Sequence, residues 1–205
     1  MAIADENAML ETSSPRNGGR LLFARTFLKN PQMLGSVIPS SRFLVNGVLA
    51  RIDWARADLI VEYGPGVGTV TAEILARMKS DATLVVIEMN LDLVRHLRAV
   101  FDDSRLVVVE GSCADVRSIL SDRGFGNAQY IISGIPLSSI PVAAREHIAR
   151  ETKEALAPGG TFIVYQFTSS VLPQLERVFD VVERGREWLN VLPAYLFFCY
   201  GQTSA

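Results

Sequence analysis

Residues 59–69, Leu-Ile-Val-Glu-Tyr-Gly-Pro-Gly-Val-Gly-Thr, constrain this chain more than any other segment. An apolar run carrying an acid, Glu62, gives way to glycines at alternate positions, Gly64, Gly66 and Gly68, and a helical pattern begins directly afterwards. That order reads as a buried strand turning sharply into a helix. Glycine permits the backbone conformations of such a turn and lets a ligand approach the main chain. The first N–H groups of the helix, with its positive dipole end, then face the crevice above the strand. No lysine follows the loop, which excludes a P-loop, and Thr69 stands where a dinucleotide fingerprint carries glycine.

The pattern around the loop sets the fold class. Strands are expected at Leu59–Glu62, Leu84–Glu88, Leu106–Val109, Tyr130–Ser133, Thr161–Phe167, Val178–Glu183 and Ala194–Tyr200. Helices are expected at Val70–Lys79, Leu91–Phe101, Val116–Leu120 and Val142–Leu156, and from Ser40 or Ser41 to about Ile52. The first five strands are short, apolar and separated by helices, the mark of a parallel sheet covered on both faces. The last two are joined around 185–193, too short for a crossover helix, and should form an antiparallel hairpin. The expectation is an α/β, Rossmann-like, seven-stranded, mostly parallel sheet ending in that hairpin.

Further acids and loops fall where strands end. Glu88 closes the second strand about twenty residues after the glycine loop, the spacing of a carboxylate on ribose hydroxyls. Met89 beside it is assigned to the same cofactor side. Glu62 is placed to anchor the loop and to receive an ammonium. Together these favour S-adenosylmethionine over a dinucleotide. After the third strand, Ser112 and Cys113 lie where an adenine would sit, and Asp115 either binds the adenine amine or caps the next helix. After the fourth, Ser133-Gly134-Ile135-Pro136-Leu137 lies beside the reactive end, where Ser133 or a carbonyl could hold an acceptor amine. Tyr165 and Tyr195 are candidate contacts for the amine or a phosphate.

A chain of 205 residues suits one domain. The net charge of −2 sets up no field that recruits nucleic acid. Cys113 and Cys199 are far apart and belong to no metal-binding cluster, so no metal is expected and free thiols in a reducing compartment are. Residues 1–19 read as a disordered tail and 20–205 as the domain. Residues 12–52 contain no acid but carry Arg25, Lys29 and Arg42 among their cations, and 20–30 reads as an amphipathic helix. The 20–52 segment is therefore either a lid or a contact for an anionic membrane surface.

Taken together, these motifs resemble class I S-adenosylmethionine-dependent methyltransferases. More narrowly, Phe27-Leu28-Lys29-Asn30-Pro31, Gly35, Pro39-Ser40-Ser41, Glu62-Tyr63-Gly64-Pro65-Gly66, Ser133-Gly134-Ile135-Pro136-Leu137, Tyr165-Gln166-Phe167 and Pro193-Ala194 resemble bacterial phospholipid N-methyltransferases. The resemblance implies stepwise methylation of phosphatidylethanolamine toward phosphatidylcholine, with S-adenosylhomocysteine as by-product, by a monomer or weak dimer on the cytoplasmic face of the membrane. It implies a cofactor set of Ser41, Glu62, Gly64, Gly66, Gly68, Glu88, Met89, Ser112, Cys113 and Ser133. Ser133, Gly134 and Tyr165 would be catalytic, and Arg25, Lys29, Arg42, Pro136 and Tyr195 would meet the substrate. One departure stands out: Gly111-Ser112-Cys113 replaces the family's Gly-Asp-Ala. Alternatives are a small-molecule N- or O-methyltransferase, a cofactor-binding scaffold, or an rRNA adenine dimethyltransferase-like enzyme. The last would carry an aromatic at 137, after the proline, to stack on a flipped base.

Overall fold

Strands of a parallel sheet covered on both faces need apolar residues at successive positions, and in β1 (Leu59–Tyr63) all five residues are buried. The structure, a computed structural model, describes residues 41–190 and 192–201. The expected tail, the basic helix at 20–30 and the residues Arg25 and Lys29 lie outside the described residues.

Six helices and seven strands are described. The helices are α1 (Arg42–Leu49), α2 (Thr69–Arg77), α3 (Leu91–Val100), α4 (Val116–Ser121), α5 (Val142–Ala155) and α6 (Leu172–Val178). The other strands are β2 (Thr83–Glu88), β3 (Leu106–Glu110), β4 (Ala128–Ser133), β5 (Leu156–Gln166), β6 (Val181–Glu187) and β7 (Ala194–Tyr200). They form one sheet in the order β3-β2-β1-β4-β5-β7-β6. The first five are parallel, and β7 runs antiparallel to both β5 and β6.

The two-residue strand period divides the core. Val61, Tyr63, Ile131, Phe162 and Val164 pack with Ile119 of α4, Ile148 of α5 and Leu175 of α6. Ile60, Leu84, Val86, Ile132 and Ile163 pack with Val48 of α1, Ile74 of α2 and Leu97 of α3. The sheet is thus covered on both sides, as expected.

The C-terminal part differs from the sequence reading. Residues 172–178 form α6, with a proline in its first turn, and β6 starts at Val181 rather than Val178. Gly185 therefore lies inside β6, and the hairpin turn is confined to the residues between Glu187 and Ala194. β5 begins at Leu156 rather than Thr161: Leu156 pairs Ala128 and Thr161 pairs Tyr130, so residues 157–160 bulge from the ladder. β6 is the edge strand, and its charged residues Glu183, Arg184, Arg186 and Glu187 blunt that edge against further pairing.

Arg105 closes the far end of α2. Its guanidinium donates to the carbonyls of Leu75 (2.9 Å), Met78 (3.2 Å) and Lys79 (3.2 Å), and it pairs with Asp103 at 2.7 Å. These bonds satisfy carbonyls that the helix end leaves open. Arg105→Ala should cost about 1–3 kcal/mol in urea unfolding and leave cofactor affinity unchanged; an unaltered unfolding midpoint would show that water serves those carbonyls as well.

Candidate active site

The main-chain ladder runs one residue past each strand at the carboxyl edge. Gly64 N–H donates to Ile87 (3.0 Å), Gly134 N–H to Tyr63 (2.9 Å) and Gly111 N–H to Glu88 (3.0 Å). The loops after β3, β1 and β4 thus each begin bonded to the end of a neighbouring strand along the same edge. Between β1 and β4 the strand order reverses, the switch point where open α/β sheets bind ligands.

The three loop glycines have φ of 62°, 59° and 86°, a region that L side chains avoid. Two of them are also packing points. A Cβ on Gly64 would lie 2.5 Å from Ile135 Cγ2, and one on Gly68 would lie 2.5 Å from the Phe101 ring. A Cβ on Gly66 would meet nothing within 4 Å, so Gly66 is the glycine that faces open space. Helix α2 begins behind it with Gly68 as N-cap and no side-chain cap. Ser41 caps α1 and Asn90 caps α3. The first N–H groups of α2 are left to a ligand or water. His96 of α3 braces the loop by a hydrogen bond to the Val67 backbone.

Two buried acids flank this opening. Glu62 is 1% exposed, and its carboxylate accepts from the Thr71 hydroxyl at 2.6 Å. Burial, with Glu88 nearby, pushes its pKa from 4.5 up to about 7. Among the described residues no cation pairs with it. Glu88 accepts the Asn90 N–H at 2.9 Å and further backbone N–H groups from Gly66 and Met89. It therefore joins the β2 loop to the glycine loop, and burial raises its pKa too. Met89 is 72% exposed at the same corner.

After β3, the Ser112 hydroxyl accepts from Ala114 N–H at 3.2 Å and caps the short 3-10 turn Cys113–Asp115. Capping thus falls to Ser112; the Asp115 side chain makes no capping bond to α4. Cys113 is buried and its thiol is pushed up to about 11, so it is a neutral packing group.

The loop after β4 is tightly fixed. Pro136 has φ −75° and ψ 73°, and Leu137 N–H donates to Ile135 at 2.8 Å, an inverse γ-turn. Gln166, buried at the end of β5, donates its amide to the same Ile135 carbonyl at 2.7 Å. That carbonyl is therefore committed to holding the loop. A Cβ on Gly134 would lie 2.3 Å from the Tyr165 hydroxyl, so the phenol rests directly on Gly134. Ser133 lies apart from that pair. It pairs in register with Tyr63 and Val164, whose side chains enter the α4–α6 core, whereas Tyr165 packs on the α1–α3 side. The Ser133 hydroxyl is fully buried and has no hydrogen-bond partner among the described residues.

Ser41 is engaged at the start of α1: its N–H donates to Asn190 Oδ1 (2.9 Å), its hydroxyl to the Leu189 carbonyl (3.0 Å), and it caps Leu44 N–H. The Arg42 guanidinium sits 4.8 Å from the Phe43 ring centroid. Tyr195, beside Gln166 in the ladder, accepts from Arg186. Thr71, His96 and Gln166 also belong to the site. Of these, only Gln166 lies in a recognisable motif, Tyr165-Gln166-Phe167.

The residues present fit S-adenosylmethionine: an uncapped helix start, a glycine open to a ligand, and two acids at the ends of adjacent strands. This sheet order and loop set define a class I S-adenosylmethionine-dependent methyltransferase. The ornithine lipid N-methyltransferase of Singulisphaera acidiphila is 35% identical over 88% of this chain and 95% of its own length. The chain belongs to the family of that methyltransferase.

The ribosomal RNA adenine dimethylase family model matches residues 26–120. The ribosomal RNA small subunit methyltransferase A of Mycoplasma mycoides is 31% identical over 53% of this chain but only 40% of its own length. Among solved structures, a putative O-methyltransferase from Klebsiella pneumoniae superposes with a TM-score of 0.65 at 12% identity, over 95% of this chain and 93% of its own. The N-methyltransferase NodS of Bradyrhizobium japonicum, in complex with S-adenosylhomocysteine, does so at 0.61 and 14%, over 78% and 88%. Among the described residues, no helix is long and apolar enough to cross a membrane.

Proposed function

We propose that the protein N-methylates the amine of a membrane lipid. The observation that carries this reading is the near full-length similarity to a lipid N-methyltransferase. The loop after β4 supports it: Leu137 is buried at 4% exposure, and no aromatic follows Pro136 to stack on a nucleobase. Two acceptors follow from different observations. The sequence motifs favour phosphatidylethanolamine, methylated toward phosphatidylcholine at the inner membrane face. The relative's name favours ornithine lipid.

When bound, the cofactor supplies an activated methyl group on a sulfonium. Gly66, Glu88 and the start of α2 would hold it, and Glu62 would take its ammonium. The remaining work is alignment of the acceptor nitrogen. A free alkylamine has a pKa of about 10.4, so the pocket must favour its neutral form. Withdrawal from water beside Gly134 would do so, and the Tyr165 hydroxyl would accept an N–H of the neutral amine, leaving its lone pair for the methyl, and relay to water the proton that the methylated ammonium sheds. The Ile135–Leu137 turn, locked by Gln166, would fix where that amine rests beside Gly134.

Turnover with S-adenosylmethionine should be measured on vesicles of phosphatidylethanolamine, on vesicles of ornithine lipid, and on soluble amines. Methylation of either lipid well above the soluble amines is expected. Preference for a soluble amine would overturn the lipid reading, and the ratio between the two lipids decides the acceptor.

A further inference from the structure

The β6–β7 turn carries an exposed apolar and cationic surface beside the methyl-transfer site. Trp188 and Leu189 are 62% and 64% exposed, and Leu192 is 47% exposed. Phe43, at 39%, joins them, because the Ser41 bonds to Leu189 and Asn190 tie the start of α1 to this turn. Two guanidiniums lie on its rings: Arg186 is 4.5 Å from the Trp188 centroid and 4.2 Å from that of Tyr195, and Arg42 is 4.8 Å from that of Phe43. Other arginines nearby are ion-paired, Arg51 just past α1 with Glu183 and Arg184 of β6 with Glu176. Among the described residues, Arg42 and Arg186 make no ion pair. The nearby Glu187 carboxylate accepts from Leu189 N–H at 2.7 Å, within the turn itself.

The position of the surface matters as much as its chemistry. β7 runs antiparallel to β5, with Tyr195 opposite Gln166. The turn that leads into β7 therefore stands at the carboxyl edge of the sheet, beside the Gly134–Tyr165 pair. A tryptophan and leucines rimmed by unpaired guanidiniums match the interfacial zone of a bilayer, where indole rings settle at headgroup depth and arginines meet phosphates.

We propose that the β6–β7 turn and the start of α1 form a membrane-docking surface that seats the active-site mouth on anionic lipid. The proposal rests on the lipid reading above for its purpose, and its geometry is drawn from described residues alone. Docking here places headgroups at the carboxyl edge of the sheet, so an aminolipid need rise only partly from the bilayer to reach Gly134. Unpaired Arg42 and Arg186 make the seat selective for anionic vesicles and sensitive to salt.

The test uses the full chain with Trp54→Phe, so that fluorescence reports Trp188 alone. Vesicles of phosphatidylethanolamine with phosphatidylglycerol should shift its emission to the blue, and acyl-brominated lipid should quench it. Separately, Trp188→Ser/Leu189→Ser should weaken vesicle sedimentation by about tenfold or more, as two apolar side chains lose their burial. The same variant should methylate a water-soluble short-chain aminolipid at the wild-type rate. Wild-type vesicle affinity in that variant overturns the docking surface, even if short-chain lipid is methylated and the lipid reading stands. If no aminolipid is methylated, the lipid reading fails, and vesicle binding that still depends on Trp188 sustains the docking surface by itself. A blue shift that grows with protein concentration without vesicles overturns it in favour of a second copy of the chain.

Discussion

Glutamine at position 62 should make the protein more stable above neutral pH and weaken its hold on S-adenosylmethionine. The Glu62 carboxyl is fully buried, and its pKa rises from 4.5 to about 7. The folded state therefore holds a proton that the unfolded chain releases between those two values. Stability falls as pH rises through that window, and the loss is complete above the folded pKa. A shift of this size corresponds to about 3 kcal/mol. Glu62→Gln has no carboxyl to ionise, yet its amide oxygen still accepts from the Thr71 hydroxyl. Urea unfolding at about pH 5 and about pH 8 should show a slope in the wild type that the variant lacks. An unchanged slope would assign the titration to another group. A cationic ammonium beside Glu62 reverses the local balance, because it favours the ionised carboxylate. Cofactor affinity in the wild type should therefore rise with pH across the same window, with proton release visible by calorimetry in buffers of different ionisation enthalpy. The glutamine variant should bind about tenfold or more weakly, having lost a hydrogen bond to a charged group. Undiminished binding would remove Glu62 from the ammonium.

The glycine loop was legible because its backbone demands a residue without a side chain, and that demand leaves a mark in sequence. Gly64, Gly66 and Gly68 all have positive φ, and Glu88 joins them at the expected strand end. Two of these glycines also carry packing that the sequence does not announce, against Ile135 and Phe101. The acceptor side was harder to read. Which way Ser133 points depends on its register with Tyr63 and Val164, and that depends on which strands become neighbours. The sheet then separates the Ser133 hydroxyl from the Gly134–Tyr165 pair, although all three were expected to act together. The commitment of the Ile135 carbonyl to Gln166 likewise needs β4 and β5 side by side. Helix α6 was missed for a different reason. It has seven residues, and although Val171, Leu172, Leu175, Val178 and Phe179 fall at helical spacing and meet the core, so short a run does not separate a helical period from the start of a strand. β6 has an irregular, mostly exposed face, and its start is equally unmarked.

Alanine at position 134 should abolish most methyl transfer while leaving cofactor binding close to normal. Its Cβ would lie 2.3 Å from the Tyr165 hydroxyl, 3.0 Å from Cζ of the same ring and 3.2 Å from the Gly64 carbonyl. Neither side yields easily. The Gly134 N–H is bonded to Tyr63, and the following residue is held by Gln166. Tyr165 is fixed in the β5–β7 ladder opposite Leu196. Overpacking of this kind costs about 1–3 kcal/mol of stability. The rate should suffer more, because a displacement of about 1 Å at a site that works by alignment costs about a hundredfold. Tyr165→Phe in the same chain removes the closest contact and should restore much of the lost stability. If the hydroxyl holds the acceptor amine, the double variant stays slow in single-turnover assays despite its recovered fold. If the phenol only fills space, turnover returns with stability, and Tyr165 loses its place in the mechanism. Wild-type turnover in Gly134→Ala alone would move the acceptor away from this loop altogether.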